Sequence, residues 1–223
     1  MVNAVQSFVR KIKIILTSNT GSGAEKYLMK NVYNCILIHY KSVRIKFRID
    51  KKNTMRLPPY EDFPTISGDK ISLRQIQISD MHDLIEISFY DAVKAKTLRQ
   101  ATEMQTKIHK DYLDGNSIHW GIADNLTNKI VGTCGYYRGL EKGEGELGCV
   151  LLPQYRGQGF MTSAILLAID FGLNIIGLKR IWAITSQKNV KAIELLERLS
   201  FIKTRVLDDN EIEYELKRCR RES

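Results

Sequence analysis

The residues best suited to chemistry are concentrated between positions 143 and 162. Gly143, Gly145 and Gly148 fall in a GxGxxG spacing, which wraps a dinucleotide pyrophosphate when it follows a strand and opens a helix. Here the pattern runs into a strand instead, and Glu144 and Glu146 would repel a pyrophosphate, so this reading is rejected. The following stretch, Leu151, Leu152, Pro153, Gln154, Tyr155, Arg156, Gly157, Gln158, Gly159, Phe160, Met161 and Thr162, lies between a predicted strand and a predicted helix. Glycines there let backbone N–H groups close on an anion, the helix dipole adds partial positive charge, and Arg156 adds a full one. No GKS or GKT follows, so this is not a nucleoside triphosphate loop. On residue types alone, a plain Gly-rich turn explains the stretch equally well.

The elements that must position this loop are legible from periodicity. Ile71, Leu73 and the Gln75 to Ile78 stretch predict a strand, and Ser79 with Asp80 and Asp83 predicts a capped helix start. A helix is predicted from about Ala95 to Tyr112, ended by Gly115 and Asn116. Strands at about 119–123, 130–137 and 146–152 form an antiparallel meander. A long apolar helix from about Met161 to Ile176 follows, with Gly177 as its stop, then a strand from Ile181 to Thr185. Ala192, Leu195, Leu196 and Leu199 define a last amphipathic helix, and Phe201 and 212–216 supply closing strands. The order implies an α/β fold with a mixed, mostly antiparallel sheet flanked by helices. His119, Trp120 and Tyr136 read as sheet residues and Trp182 as core, while Cys134 and Cys149 are placed to face each other as thiols.

Composition narrows the class. The 223 residues suffice for one sizeable core, and no apolar run approaches the roughly 18 residues that cross a bilayer. The formal net charge of +9 is unevenly distributed: residues 1–54 hold 11 Lys/Arg against Glu25 and Asp50, whereas residues 55–223 hold 23 of each sign. Any ribosome or RNA contact therefore belongs to residues 1–54, where Val43 to Ile49 alternate like a basic edge strand. Pro58 and Pro59 mark the break, which makes Met55 an alternative natural start. Cys35, Cys134, Cys149 and Cys219 form no CxxC pair and have no His at zinc-ligand spacing. Free thiols without a complete leader segment point to the cytoplasm.

With the loop and elements in place, the chain resembles the GCN5-related N-acetyltransferases (GNAT), particularly the RimJ/RimL-like branch acting on ribosomal protein N-termini. Gln154, Gly157 and Gly159 match the family's coenzyme A loop, Q/R-x-x-G-x-G/A. Asn189, Ala192, Ile193, Glu197 and Phe201 resemble its second signature. The motifs cover 144–201, and the element order extends the likeness to about 66–217. Ser200 stands where Gly is usual, and Leu196 where many relatives carry a Tyr that protonates the leaving thiolate. A thiol of pKa near 8.5 leaves adequately without that acid.

The resemblance implies an acetyl-CoA-dependent enzyme that needs no metal. Its pantetheine arm would pair with the strand ending at Leu151 and Leu152. Its pyrophosphate would rest on the amides of 156–162, including Arg156, Gly157, Gln158, Gly159, Met161 and Thr162, with Asn189 reaching the arm or phosphates or simply capping its helix. Transfer requires a neutral amine, and Glu146 is the best placed base, with Glu144 the weaker alternative. An α-amine of pKa near 7.7 to 8.0 is about a tenth neutral at pH 7, far more than a Lys side chain, which favours a protein N-terminus. Polyamines and aminoglycosides remain open as acceptors, as does a non-catalytic acyl-CoA- or RNA-binding module. The protein is expected to be a monomer or homodimer.

Overall fold

The computed structural model describes residues 55–217, apart from position 92. The basic segment before Met55, with its alternating Val43 to Ile49, and Cys219 lie outside the described residues. Strands β1 (Ile66–Ser67) and β2 (Ile71–Arg74) form a hairpin, followed by a short helix α1 (Met81–Leu84) between two 3-10 turns. A small hairpin, β3 (Phe89–Tyr90) and β4 (Val93–Lys94), precedes α2 (Leu98–Leu113). The meander β5 (Ile118–Asp124), β6 (Ile130–Tyr136) and β7 (Glu144–Leu151) leads through a 3-10 turn at Pro153–Tyr155 into α3 (Phe160–Phe171). Then come β8 (Arg180–Ser186), α4 (Val190–Arg198), β9 (Phe201–Val206) and β10 (Glu211–Leu216).

Eight strands form one sheet in the order β1-β2-β5-β6-β7-β8-β10-β9. Every described pairing in it is antiparallel except β7 with β8. The expected mixed, mostly antiparallel sheet flanked by helices is therefore the fold observed. The parallel joint follows from the crossover through α3, because a helix returns the chain to start the next strand in the same direction.

Both faces of the central strands are covered, and all seven residues of β6 are buried. On one face Phe160, Ala164, Ile165, Ala168 and Ile169 of α3 pack on Trp120, Tyr136, Leu147 and Leu151, joined by Leu196 and Leu199 of α4. On the other face Met81 and Leu84 of α1 and Ala101 of α2 pack with Ala123, Ile130 and Leu152. The Tyr136 hydroxyl reaches through the first core to donate to the Ala168 carbonyl at 2.8 Å. It occupies the space where Gly172 would carry a Cβ, at the point where α3 loosens into a π turn, Gly172–Ile176. That turn ends at Gly177, whose φ of 86° permits the stop expected there.

Local predictions differ from the structure at several boundaries. The strand over Gln75 to Ile78 is not formed: Gln77 precedes a 3-10 turn, Ile78 is 82% exposed, and Asp80 takes both Arg74 and the Gln77 N–H. That carboxylate, rather than a Ser79 cap, organises the turn. The second helix starts at Leu98, because Thr97 is extended and its hydroxyl accepts the Gln100 N–H at 3.2 Å. Strand β7 begins at Glu144 and ends at Leu151, two residues earlier and one residue sooner than expected, and Leu152 turns into the second core.

Candidate active site

Strands β7 and β8 pair at only three registers: Glu144 with Arg180, Gly145 with Ile181 and Glu146 with Trp182. Both then continue, β7 to Leu151 and β8 to Ser186, without further pairing to each other. A wedge opens in the middle of the sheet with Glu146 and Trp182 at its apex. Along 147–151 the antiparallel bonds of β7 go to β6, so alternate backbone groups on its other edge face the wedge. Because the two strands are parallel, the segments leaving them, 152–159 and 187–189, flank the same opening.

The first of these segments is the glycine loop. Gly157 and Gly159 have φ values of 76° and 82°, and a Cβ added to either would meet nothing within 4 Å. Glycine is favoured here by backbone conformation, not by internal packing. Among the described residues no hydrogen bond within the protein uses the N–H of Gly157, Gln158 or Gly159. In α3 the first amide to bond back is that of Ser163, to Gly159 at 3.2 Å, so Phe160, Met161 and Thr162 also offer free N–H groups. These six amides at a helix N-terminus form a cradle that could hold a phosphate group.

Arg156 and Gln154 brace the approach to this loop. Arg156 does not extend over it: its Nη2 and Nε lie 3.3 and 3.4 Å from the Leu151 carbonyl, folded back on the strand end. Its own amide is spent on Pro153 at 3.2 Å, so the available amides start at Gly157. Gln154 accepts from the Gln158 side chain through its carbonyl, which tightens the approach to the loop. Across the opening Asn189 is the N-cap of α4, its Oδ1 accepting from Ala192 at 3.3 Å. The capping role is thus realised by an exposed residue.

At the apex, Glu146 points to the sheet face opposite α3, and its carboxylate is 12% exposed and paired with the 73% exposed Arg138. Glu144 instead binds Arg180 at 3.1 Å, and Arg180 also reaches Glu213 at 2.7 Å and Glu215 at 2.8 Å. Glu213 is 2% exposed and receives Arg205 and the Thr204 hydroxyl as well. Burial would raise the Glu213 pKa, but hydrogen bonds from Arg205 and Thr204 and the charge of both arginines hold it below its ordinary value. Neither Arg138 nor this network was foreseen, because nothing local in the sequence marks partners 8 and 36 residues away.

The same face carries an aromatic floor. The Tyr137 ring lies over Gly148, where a Cβ would collide with it, and its centroid is 5.3 Å from that of His119. Both His119 ring nitrogens are buried without a protein partner, and burial lowers its pKa to about 4, so the ring is neutral near pH 7. Trp182 is half-buried beside Glu146 with Arg180 5.5 Å from its ring, so it lines the apex rather than filling the core as expected. Cys134 and Cys149 face each other as expected; burial pushes the Cys149 thiol up to about 12 and Cys134 well above its usual value. Neither is a thiolate nucleophile near neutral pH.

A family model described as an acetyltransferase (GNAT) domain matches residues 70–202. The chain belongs to the GNAT acetyltransferase family. It is an acetyl-transferring enzyme by that membership. An uncharacterized N-acetyltransferase, p20, of Bacillus licheniformis is 30% identical over 155 residues, covering 66% of this chain and 87% of the relative. Spermidine N(1)-acetyltransferase of Escherichia coli K12 is 34% identical over 56 residues, 25% of this chain and 30% of that protein. Among solved structures, a putative ribosomal-protein-serine acetyltransferase from Vibrio cholerae superposes with a TM-score of 0.60 at 17% identity, covering 68% of this chain and 96% of that one.

Two departures from the GNAT signature acquire a physical reading. Ser200, where glycine is usual, has φ of 70° and a buried hydroxyl without a partner, so it holds the left-handed turn after α4 under strain. Leu196 is 6% exposed within the core, which gives it packing to do and no proton to offer. Among the described residues no group of His, Cys, Asp and Glu is arranged to hold a metal ion, and no helix is long and apolar enough to cross a membrane.

Proposed function

We propose that this GNAT domain transfers the acetyl group of acetyl-CoA to a primary amine, with the α-amine of a protein N-terminus as the preferred acceptor. The observation that carries the reading is the wedge between β7 and β8, bounded at its mouth by the glycine loop and at its apex by Glu146. Acetyl-CoA supplies the activated thioester. The free backbone edge of 147–151, including Leu151, offers strand-like pairing to a pantetheine arm, and Leu152 fixes the turn that follows. The amides of Gly157, Gln158, Gly159, Phe160, Met161 and Thr162 would hold the pyrophosphate, with Gln154 and Arg156 bracing the loop and Asn189 across the opening from it.

Glu146 is assigned as the group that takes the ammonium proton of the acceptor. Its competitor Glu144 is locked by Arg180 into a network of three carboxylates, whereas the only described partner of Glu146 is a largely solvated arginine. An incoming ammonium would take the place of the Arg138 guanidinium, which is 73% exposed and returns to water, and would keep the 12% exposed Glu146 carboxylate paired. No general acid stands at Leu196, and the departing thiolate is stable enough to leave without one. Among the described residues the site offers no strong acid/base pair that would deprotonate a lysine, which is the argument for the less basic α-amine.

A polyamine acceptor is the second reading, favoured by the likeness to a spermidine acetyltransferase over 56 residues. The carboxylates near the apex would suit a polycation, but Glu144, Glu213 and Glu215 are already ion-paired with Arg180 and Arg205, which offset two of their three charges. Thiol release measured with N-terminal peptides, spermidine and an aminoglycoside separates the readings. Turnover with peptides supports the first and turnover with spermidine alone supports the second. Tight binding of acetyl-CoA without turnover on any amine would leave a non-catalytic module. Contact with a ribosome or RNA through residues 1–54 is tested by salt-dependent binding of the full chain and of a 55–223 form.

A further inference from the structure

The turn between β1 and β2 sends one side chain into the loop assigned to the cofactor. Lys70 Nζ donates to the Gln158 carbonyl at 2.6 Å and lies 4.5 Å from the centre of the Phe160 ring, the first residue of α3. The turn that carries it is built rather than loose. Asn125 donates from its backbone N–H to the Lys70 carbonyl at 3.1 Å and from its side chain to the Gly68 carbonyl at 2.8 Å. Gly68 closes the turn on Ile71 at 2.8 Å, and with no Cβ it lets the turn lie against Leu167 of α3.

The consequence lies in the geometry of one peptide unit. The Gln158–Gly159 bond is trans, so its C=O and N–H point in opposite directions. A cation holding the carbonyl on one side fixes the Gly159 N–H toward the other. That control is needed, because Gly157 and Gly159 both sit at positive φ and glycine imposes little preference on the peptide between them. Arg156, folded back on Leu151, does not supply it. We infer that Lys70 is a positioning residue for the phosphate cradle: from outside the loop it locks the Gln158–Gly159 peptide with the Gly159 N–H presented to the pyrophosphate of the cofactor.

This inference rests on the acetyl-CoA reading of the site, and the two can fail separately. Calorimetry with coenzyme A and with 3′-dephospho-coenzyme A is run on the wild-type chain, Lys70→Met, which keeps an apolar stem over Phe160, and Lys70→Arg, which keeps the charge. Wild-type binding of neither ligand would sink the cofactor reading itself. With wild-type binding intact, Lys70→Met is expected to weaken both ligands by about tenfold, the scale of one hydrogen bond to a charged group. Lys70→Arg should restore most of the loss, the melting temperature should not move, and turnover with acetyl-pantetheine, which has no pyrophosphate, should be unchanged. Equal affinity in Lys70→Met overturns the inference. So does a loss confined to coenzyme A, which would mean a direct contact with the 3′-phosphate, and so does an equal loss with acetyl-pantetheine, which would mean a general structural role.

Discussion

At its N-terminal end β7 is pinned to β8 by three registers of backbone pairing and by the bridge from Glu144 to Arg180, whereas at its C-terminal end it leaves β8 altogether and turns through two left-handed glycines. The first end spends its polar groups on the protein: Arg180 satisfies three carboxylates and every partner is spoken for. The second end withholds them, leaving a strand edge and six amides without internal acceptors. One strand thus joins a paired anchor to an open backbone edge. The contrast puts the ion pair of Glu144 with Arg180 where the two strands still pair, and leaves the arms beyond it bare.

The strongest way to break the comparison is at the anchor. Arg180→Met leaves the 2% exposed Glu213 with Arg205 as its remaining cation, and should cost about 3 kcal/mol, read as a lower urea midpoint. The pH dependence has a defined sign. The Glu213 pKa is held below the ordinary carboxylate value, so the network contributes above that range and the contribution disappears as pH falls through the lowered value. Wild type and variant should therefore converge in acid. A constant difference would mean that Arg180 acts through packing on Trp182 instead.

Next in size is Glu146→Gln, expected to lower turnover about 100-fold at pH 7 with unchanged affinity for acetyl-CoA. The gap should narrow toward pH 9 as the acceptor amine deprotonates unaided. A loss independent of pH would move Glu146 from proton transfer to the holding of Arg138.

Two turn substitutions sharpen the contrast between required and tolerated strain. Gly157→Ala meets no atom within 4 Å, so its cost of about 1–2 kcal/mol in thermal or urea unfolding would measure the backbone conformation alone. Ser200→Gly should stabilise by about 1 kcal/mol, because the same left-handed conformation is there held by a side chain. A neutral result at Ser200 would show that the buried hydroxyl has a partner worth as much as the strain it accompanies.

Fold class and loop were legible for specific reasons. Gly157 and Gly159 announce a tight strand-to-helix turn by their spacing, and the apolar period of 161–176 announces the crossover that makes β7 and β8 parallel. The cross-strand pairing of Cys134 with Cys149 followed from hairpin register. What was not legible depended on distant partners. Gln75 to Ile78 reads as strand until Asp80 is seen to capture Arg74, and Trp182 reads as core until the wedge leaves its edge uncovered. Lys70 acts on a loop 88 residues away, so nothing around position 70 distinguishes it from a solvated lysine. Arg156 illustrates the converse, a charge whose position is plain in the sequence but whose bond to the Leu151 carbonyl is not.

The Tyr136 hydroxyl and the bare α-carbon of Gly172 occupy one shared space, with the Ala168 carbonyl as the hydroxyl's acceptor. Position 172 cannot acquire even a methyl group while Tyr136 keeps its phenol, and a phenylalanine at 136 would leave both a void and a carbonyl without its second donor. The two sites, on different elements and 36 positions apart, therefore constitute a single heritable unit: tolerated sequence drift must carry them together, and a library randomised at both should return correlated pairs rather than independent choices.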